Sequence, residues 1–84
     1  MSPALSLIAE RGKTHGDFGA NAETAQSIKN AIRSAPNWNA LSGSQQEALD
    51  LIATKIGRIM SGNPNERDHW ADLSGYAELV RSKL

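Results

Sequence analysis

The most regular hydrophobic pattern in the chain lies in its second half. Apolar residues recur there every three or four positions, as on one face of an α-helix. They are Leu49, Ile52, Ile56 and Ile59, with Ala48, Leu51 and Met60 beside them. Ser42 and Ser44 are each followed three residues later by a glutamine or a glutamate, which is the capping-box pattern of a helix start. We therefore predict a helix that begins at these serines and ends near Ser61.

A second apolar stripe follows after a short polar turn. Gly62 and Pro64 end the preceding helix, and Asn65 is expected to cap the next one, over residues 66–83. The stripe of this last helix consists of Trp70, Leu73, Ala77, Val80 and Leu84, widened by Tyr76 and Leu79. Because the turn is short, the two helices are predicted to form an antiparallel hairpin.

Two weaker helical patterns occupy the first half. Residues 3–11 have a proline at the first helical position, with Ser2 as a possible cap, and Gly12 is expected to end the helix. Residues 22–35 carry a stripe of small apolar side chains and end before Pro36, since the residue preceding a proline avoids the helical conformation. Residues 36–43 form a linker between this helix and the hairpin.

These elements predict a single all-α domain over residues 1–84. It is a compact bundle of three main helices plus a short N-terminal helix, with the last two helices as the antiparallel hairpin. Gly57 and Gly75 interrupt helices at a cost near 1 kcal/mol relative to alanine. Each is therefore predicted to mark a close helix crossing.

Composition narrows the possible functions. The 84 residues contain nine basic and nine acidic side chains, whereas a nonspecific nucleic-acid binder normally carries a basic excess. Cysteine is absent, and the apolar runs are far too short to span a membrane. We see no signal peptide and expect a cytoplasmic protein. Because so short a chain buries little surface, self-association into a homo-oligomer is expected.

Residues 12–21 contain three glycines and show no helical period. We interpret the segment as a loop, and two functions for it stay open. It could bind a ligand through its polar side chains, which are Lys13, His15, Asp17 and Asn21. Alternatively it is a plain turn in which Asp17 or Asn21 caps the next helix.

The hairpin carries most of the remaining polar chemistry. Glu47, Asp50, Thr54 and Arg58 follow one another at helical spacing and form a polar edge, with Lys55 close by. The last helix presents a neighbouring edge that consists of Asp68, His69, Asp72 and Tyr76. Folding the hairpin should bring these two edges together.

This arrangement has two interpretations. One is structural: Arg58 or Lys55 pairs with Asp72, and His69 lies on the surface. The other is a phosphate site, in which carboxylates hold Mg²⁺ and the basic side chains bind phosphate oxygens. A metal-bound water could then hydrolyse a phosphoanhydride.

Three segments, in order, resemble small phage-encoded or prophage-encoded proteins of unknown function. They are GKTHGDF with the following Asn21, EALDLIATKIGRIMSGNP, and the helix with Asp68, Trp70, Asp72 and Gly-Tyr-Ala. Those proteins in turn resemble the MazG-like all-α nucleoside triphosphate pyrophosphatase superfamily, and the likeness covers residues 8–80. The superfamily uses Mg²⁺ held by a Glu-Glu-x-x-Glu and a Glu-x-x-Asp motif, and usually works as a dimer or tetramer. Glu47-x-x-Asp50 matches the second motif, and the chain contains no Glu-Glu-x-x-Glu.

The resemblance implies a nucleotide or related phosphate ligand, possible hydrolysis, and these site residues: Glu47 and Asp50 as catalytic residues; Glu47, Asp50 and Asp72 as Mg²⁺ ligands; and His15, Asp17, Asn21, Lys55, Arg58, Asp68 and Tyr76 as ligand-binding residues. The incomplete acidic motifs favour an alternative. The protein would then be a non-enzymatic phage factor that binds a host protein or sequesters a nucleotide signal.

Overall fold

The structure is a computed structural model that describes residues 3–84. Its elements are α1 (Pro3–His15), α2 (Phe18–Arg33), a short 3₁₀ turn (Trp38–Ala40), α3 (Gly43–Ser61) and α4 (Arg67–Arg81). Residues 3–84 contain no strand, so the prediction of an all-α bundle is confirmed. The expectation that Ser2 caps the first helix lies outside the described residues.

The first two helices meet at a tight junction, which corrects the prediction of a loop over residues 12–21. Gly12 does not end α1, which continues through it to His15. The chain turns at Gly16, whose φ of +77° is the left-handed conformation that glycine adopts readily. The Asp17 side chain then accepts a hydrogen bond from the Ala20 amide at 3.0 Å and caps α2. The helix-capping alternative for Asp17 is thus confirmed.

Helix α2 ends at Arg33, two residues earlier than predicted, and Ser34 is its C-cap. The following 3₁₀ turn is tied to the next helix, because the Gln46 side chain donates a hydrogen bond to the Trp38 carbonyl at 3.0 Å. Trp38 is half-buried there.

Helix α3 lies between α2 and α4 and packs closely against both. It begins at the predicted capping box, in which Ser42 and Gln45 each bond the other's main chain. A Cβ placed on Gly57 would lie 2.6 Å from the Asn21 carbonyl oxygen, so the predicted close crossing at Gly57 is confirmed and joins α3 to α2. The buried apolar residues are few and mostly small: Ala25, Ala48, Ala53 and Ile59.

Helix α4 forms the predicted hairpin with α3, although several details differ. Asn65 does not cap it; Glu66 occupies the N-cap position, and the Asn65 amide instead donates to the Asn63 side chain at 3.0 Å. Gly75 has open space around it, so the crossing predicted there is wrong. Within the described chain, α4 has a single buried residue, His69. Within its apolar stripe Leu73, Tyr76 and Val80 are half-buried, whereas Trp70 and Leu79 are exposed.

Candidate functional site

The end of α1 is fixed against the end of α3 by two glycines. A Cβ on Gly16 would overlap the Ser61 carbonyl, and a Cβ on Gly62 would overlap the Thr14 carbonyl. The Asn63 amide donates a hydrogen bond to the same Thr14 carbonyl at 3.0 Å. This close contact places the last residues of α1 beside the start of α4.

The His69 side chain of α4 contacts the end of α1 at this point. It is 1% exposed, which contradicts the surface position expected under the structural interpretation. Its Nε2 lies 2.9 Å from the Thr14 carbonyl oxygen, and since a carbonyl only accepts, Nε2 carries the proton. The Nδ1 atom is buried and has no hydrogen-bond partner within residues 3–84. The His15 ring meets the His69 ring edge-on, with centroids 5.0 Å apart.

Lys55 and Asp72 form an ion pair between α3 and α4. The Lys55 side chain is almost fully buried, and its Nζ lies 2.6 Å from Asp72 Oδ2. This hydrogen bond lowers the pKa of the Asp72 carboxyl, and the positive charges of Lys55 and Arg58 act in the same direction. Of the two pairings that the structural interpretation offered for Asp72, the structure selects Lys55.

His15 is held in its neutral form. Burial is the largest cause that lowers its pKa from 6.5, followed by the positive charge of Arg58 and then by the neighbouring groups His69, Lys55 and Arg11. Its Nδ1 lies 2.6 Å from the Thr14 hydroxyl oxygen. The Thr14 hydroxyl in turn reaches the Arg11 carbonyl at 3.4 Å. Near neutral pH the imidazole is therefore uncharged, although it lies among cations.

These side chains line an open cleft of about 290 Å³, which we call the histidine cleft. Its lining residues are Thr14, His15, Lys55, Glu66, Asp68, His69 and Asp72. The carboxylates of the cleft belong to the first turns of α4, where the helix dipole favours negative charge. The cleft is thus polar, and its three carboxylates, Glu66, Asp68 and Asp72, outnumber Lys55, the one lysine or arginine among its lining residues.

A second cleft, of about 220 Å³, lies between α2 and α3, and we call it the cationic cleft. Its lining residues are Phe18, Asn21, Ala22, Ala25, Gln26, Lys29, Thr54 and Arg58. Lys29 and Arg58 form none of the ion pairs found among residues 3–84. The Asn21 side-chain oxygen is buried and lacks a partner in the same part of the chain. Phe18 is 81% exposed at the edge of the cleft.

The three predicted Mg²⁺ ligands do not come together. Asp50 lies on the α2 side of α3, where Arg33 Nη2 is 3.0 Å from both of its carboxylate oxygens. Asp72 is paired with Lys55, and Glu47 is exposed near the start of α3. Across the described residues, no group of three or more acidic or histidine side chains could hold a metal ion. The predicted carboxylates therefore do not fit the magnesium site that the resemblance implies. Two of them, Asp50 and Asp72, are already paired with basic side chains of the protein.

The predicted ligand-binding residues divide between several surfaces. Asn21 and Arg58 line the cationic cleft. His15, Lys55 and Asp68 line the histidine cleft. Tyr76 instead lines a groove between α3 and α4, and Asp17 is used as a helix cap.

Sequence reasoning missed Phe18 and Lys29. Both occupy the face of α2 that also carries Asn21 and Ala25, at spacings of three or four residues. That spacing was the available signal. The prediction of a loop over residues 12–21 conceals this spacing, because it removes Phe18 and Asn21 from the helix.

In the part of the chain that the structure describes, no helix has the length and apolarity needed to cross a membrane.

Comparison with known proteins supplies a family but no activity. No curated protein and no solved structure matches the chain. A family model described as a domain of unknown function, DUF6378, matches residues 1–83. Because the match covers nearly the whole sequence, the chain belongs to the DUF6378 family.

Proposed function

We propose that this protein binds a phosphate-bearing ligand of the nucleotide class in the cationic cleft. One observation carries the proposal. Lys29 and Arg58, which have no carboxylate partner among residues 3–84, line the same cleft as the unpartnered Asn21 side-chain oxygen. A ligand that combines an anionic group with a hydrogen-bond donor would satisfy all three side chains.

The two basic side chains suit a phosphate group. A guanidinium can donate two parallel hydrogen bonds to phosphate oxygens, and a lysine adds a mobile point charge. Both Lys29 and Arg58 are half-buried, so an ion pair made there would be screened less than one on the open surface. The positive charge of Arg58 also helps to lower the pKa of His15, so the charge acts on other groups at this end of the bundle.

Asn21 and Phe18 suit the rest of a nucleotide. A buried acceptor without a partner costs about 1–3 kcal/mol, and a hydroxyl or amino group of a ligand would remove that cost. The exposed Phe18 ring offers a flat apolar surface on which a base can stack. A cleft of about 220 Å³ is small for a whole nucleotide. We therefore expect the phosphate to be enclosed and the base to lie against Phe18 at the rim.

We further propose that binding occurs without magnesium-dependent hydrolysis. The engagement of Asp50 by Arg33 and of Asp72 by Lys55 supports this version over pyrophosphohydrolysis. Such a protein would sequester a nucleotide rather than consume it. The cytoplasm remains the expected compartment, and binding of a host protein stays a prediction, as does self-association.

Calorimetric titration tests the proposal directly. Adenosine mono-, di- and triphosphate are titrated into the protein with Mg²⁺ and with EDTA, and adenosine serves as the ligand without phosphate. We expect heat of binding with the nucleotides in both buffers, little with adenosine, and no release of pyrophosphate. Arg58→Gln and Lys29→Gln should weaken binding, whereas Arg67→Gln, an exposed cation on α4, should not. Equal affinity in all three variants would place the ligand elsewhere or show that the protein does not bind one.

A further inference from the structure

The folded chain leaves unusually much surface exposed for its mass. Its accessible area is 5888 Å², against about 4,900 Å² expected for a folded monomer of this size. The difference of roughly 1,000 Å² is comparable to the area of about 800 Å² that one partner contributes to a stable interface. Its radius of gyration is 14.4 Å, whereas about 12 Å is typical of a globular domain of 84 residues.

Both terminal helices contribute to the excess area, since α1 has no buried residue and α4 is covered mainly on one side. Helix α4 packs against α3, and its contacts with the other helices are weaker. Leu79 is 67% exposed, and in the described chain α4 has His69 as its single buried residue. The apolar stripe predicted from the sequence is real, but only one of its sides is covered.

That stripe borders an open groove of about 450 Å³ between the start of α3 and the end of α4. We call it the hairpin groove, and its main lining residues are Glu47, Leu51, Tyr76, Leu79, Val80 and Lys83. Its floor and walls are mostly apolar. Glu47 on α3 and Lys83, just beyond α4, provide one negative and one positive group, and neither belongs to an ion pair found within residues 3–84.

We infer that the hairpin groove is the contact surface for a second copy of this chain. A two-fold axis brings the same surface of both copies together, so each residue of one copy meets its counterpart region in the other. Leu79 of each copy would fill the groove of its partner. Glu47 of each copy would face Lys83 of the other, and this self-complementary charge pattern distinguishes a second copy from an unrelated apolar partner. The inference does not depend on ligand binding in the cationic cleft.

The test is the mass of the protein in solution, measured by sedimentation velocity from about 1 µM to about 500 µM chain, which covers micromolar to submillimolar dissociation constants. The wild-type chain should have twice the mass of one 9.0 kDa chain at the upper concentrations. Leu79→Asp should remain helical by circular dichroism, since the residue is exposed, and should be monomeric throughout. Met60→Asp, an exposed apolar residue outside the groove, is the matched control and should still dimerise.

A charge exchange gives a second test that does not alter the apolar surface. Glu47→Lys and Lys83→Glu should each raise the dimer dissociation constant about tenfold, because each places like charges opposite one another. The double variant should restore the dissociation constant to within about threefold of the wild-type value. A monomeric wild-type chain at every concentration, a dimer that survives Leu79→Asp, or a dimer lost in Met60→Asp would overturn the inference. So would a double variant that is no better than the single ones.

Discussion

His69 donates its Nε2 hydrogen to the main-chain carbonyl of Thr14, 55 residues earlier in the chain, at 2.9 Å. This single bond joins the end of the first helix to the beginning of the last one. The Thr14 carbonyl also accepts from the Asn63 amide, so it is held from the turn before α4 and from α4 itself. The junction of α1, α3 and α4 therefore depends on a histidine that has almost no contact with solvent.

Replacing this histidine should destabilise the fold. His69→Ala removes the bond to Thr14 and leaves a cavity, and we expect a loss of about 2–4 kcal/mol in the free energy of unfolding. Urea unfolding followed by circular dichroism measures the change. Trp70→Ala is a useful comparison, because its ring is half exposed and its indole donates a hydrogen bond to the Pro64 carbonyl. A His69→Ala variant as stable as the wild-type protein would show that the contact between α1 and α4 is not formed in solution.

Gly16 and Gly75 are expected to change stability in opposite directions when each is replaced by alanine. Gly16→Ala should destabilise the protein by more than about 1 kcal/mol, since the residue has positive φ and its Cβ would overlap the Ser61 carbonyl. Gly75→Ala should stabilise it by about 0.5–1 kcal/mol, because this helical position has open space around it. Thermal unfolding of both variants and of the wild-type chain shows whether each substitution raises or lowers stability. A Gly16→Ala variant as stable as the wild-type chain would contradict the close approach of α1 to α3, and a destabilised Gly75→Ala variant would contradict the open space at that position.

His15 should make stability depend on pH in the mildly acidic range. Its pKa is lowered in the folded state, so the unfolded chain takes up a proton first as the pH falls below about 6.5. The unfolded state is then favoured, and the melting temperature should fall between pH 7.5 and pH 5. His15→Gln cannot take up that proton and should show a shallower decline.

The comparison is made in one buffer series at constant ionic strength. His69, the other histidine of the chain, is present in both proteins, so a difference between the two curves comes from position 15. Parallel curves for the wild-type chain and the His15→Gln variant would mean that His15 is not held neutral by its surroundings.

Phe18 should distinguish a nucleotide from a simple anion. Phe18→Ala should weaken the binding of adenosine triphosphate by about fivefold or more, since base stacking on an aromatic ring contributes about 1–3 kcal/mol. Binding of inorganic pyrophosphate should be unchanged, because Phe18 offers no charge. Arg58→Gln, in contrast, should weaken both ligands. Calorimetry gives both affinities, and equal losses for the two ligands in Phe18→Ala would argue against a base at this ring.

Sequence signals predicted the secondary structure well where a feature depends only on residues within one turn of the chain. The capping box at Ser42 and Gln45 was confirmed, because both partners are three residues apart in the same turn. The helix end predicted at Gly12 and the cap predicted at Asn65 are wrong. A glycine is common at a helix end and an asparagine is common as a cap, but each residue also occurs in other positions. At Gly12 the helix continues because Gly16, four residues later, supplies the positive φ.

The candidate site was predicted only in part. Asn21 and Arg58 were identified by their chemistry and do line one cleft. The partners of the carboxylates were harder to predict, since Asp50 was expected to bind a metal and instead pairs with Arg33 from α2. Which basic side chain reaches a given carboxylate depends on how far each helix is rotated about its own axis, and no spacing along one helix contains that information.

The sequence alone is sufficient for the helical class and for the hairpin. These follow from the period of the apolar residues and from the shortness of one turn. A glycine inside a helix is not sufficient to predict a close crossing, since Gly57 lies at one and Gly75 does not. The tertiary structure is needed to show that His69 is buried, that Asp72 pairs with Lys55 rather than with Arg58, and that Phe18 and Arg58 line one cleft. Each of these depends on the mutual orientation of two helices, which is fixed by packing between residues far apart in the chain.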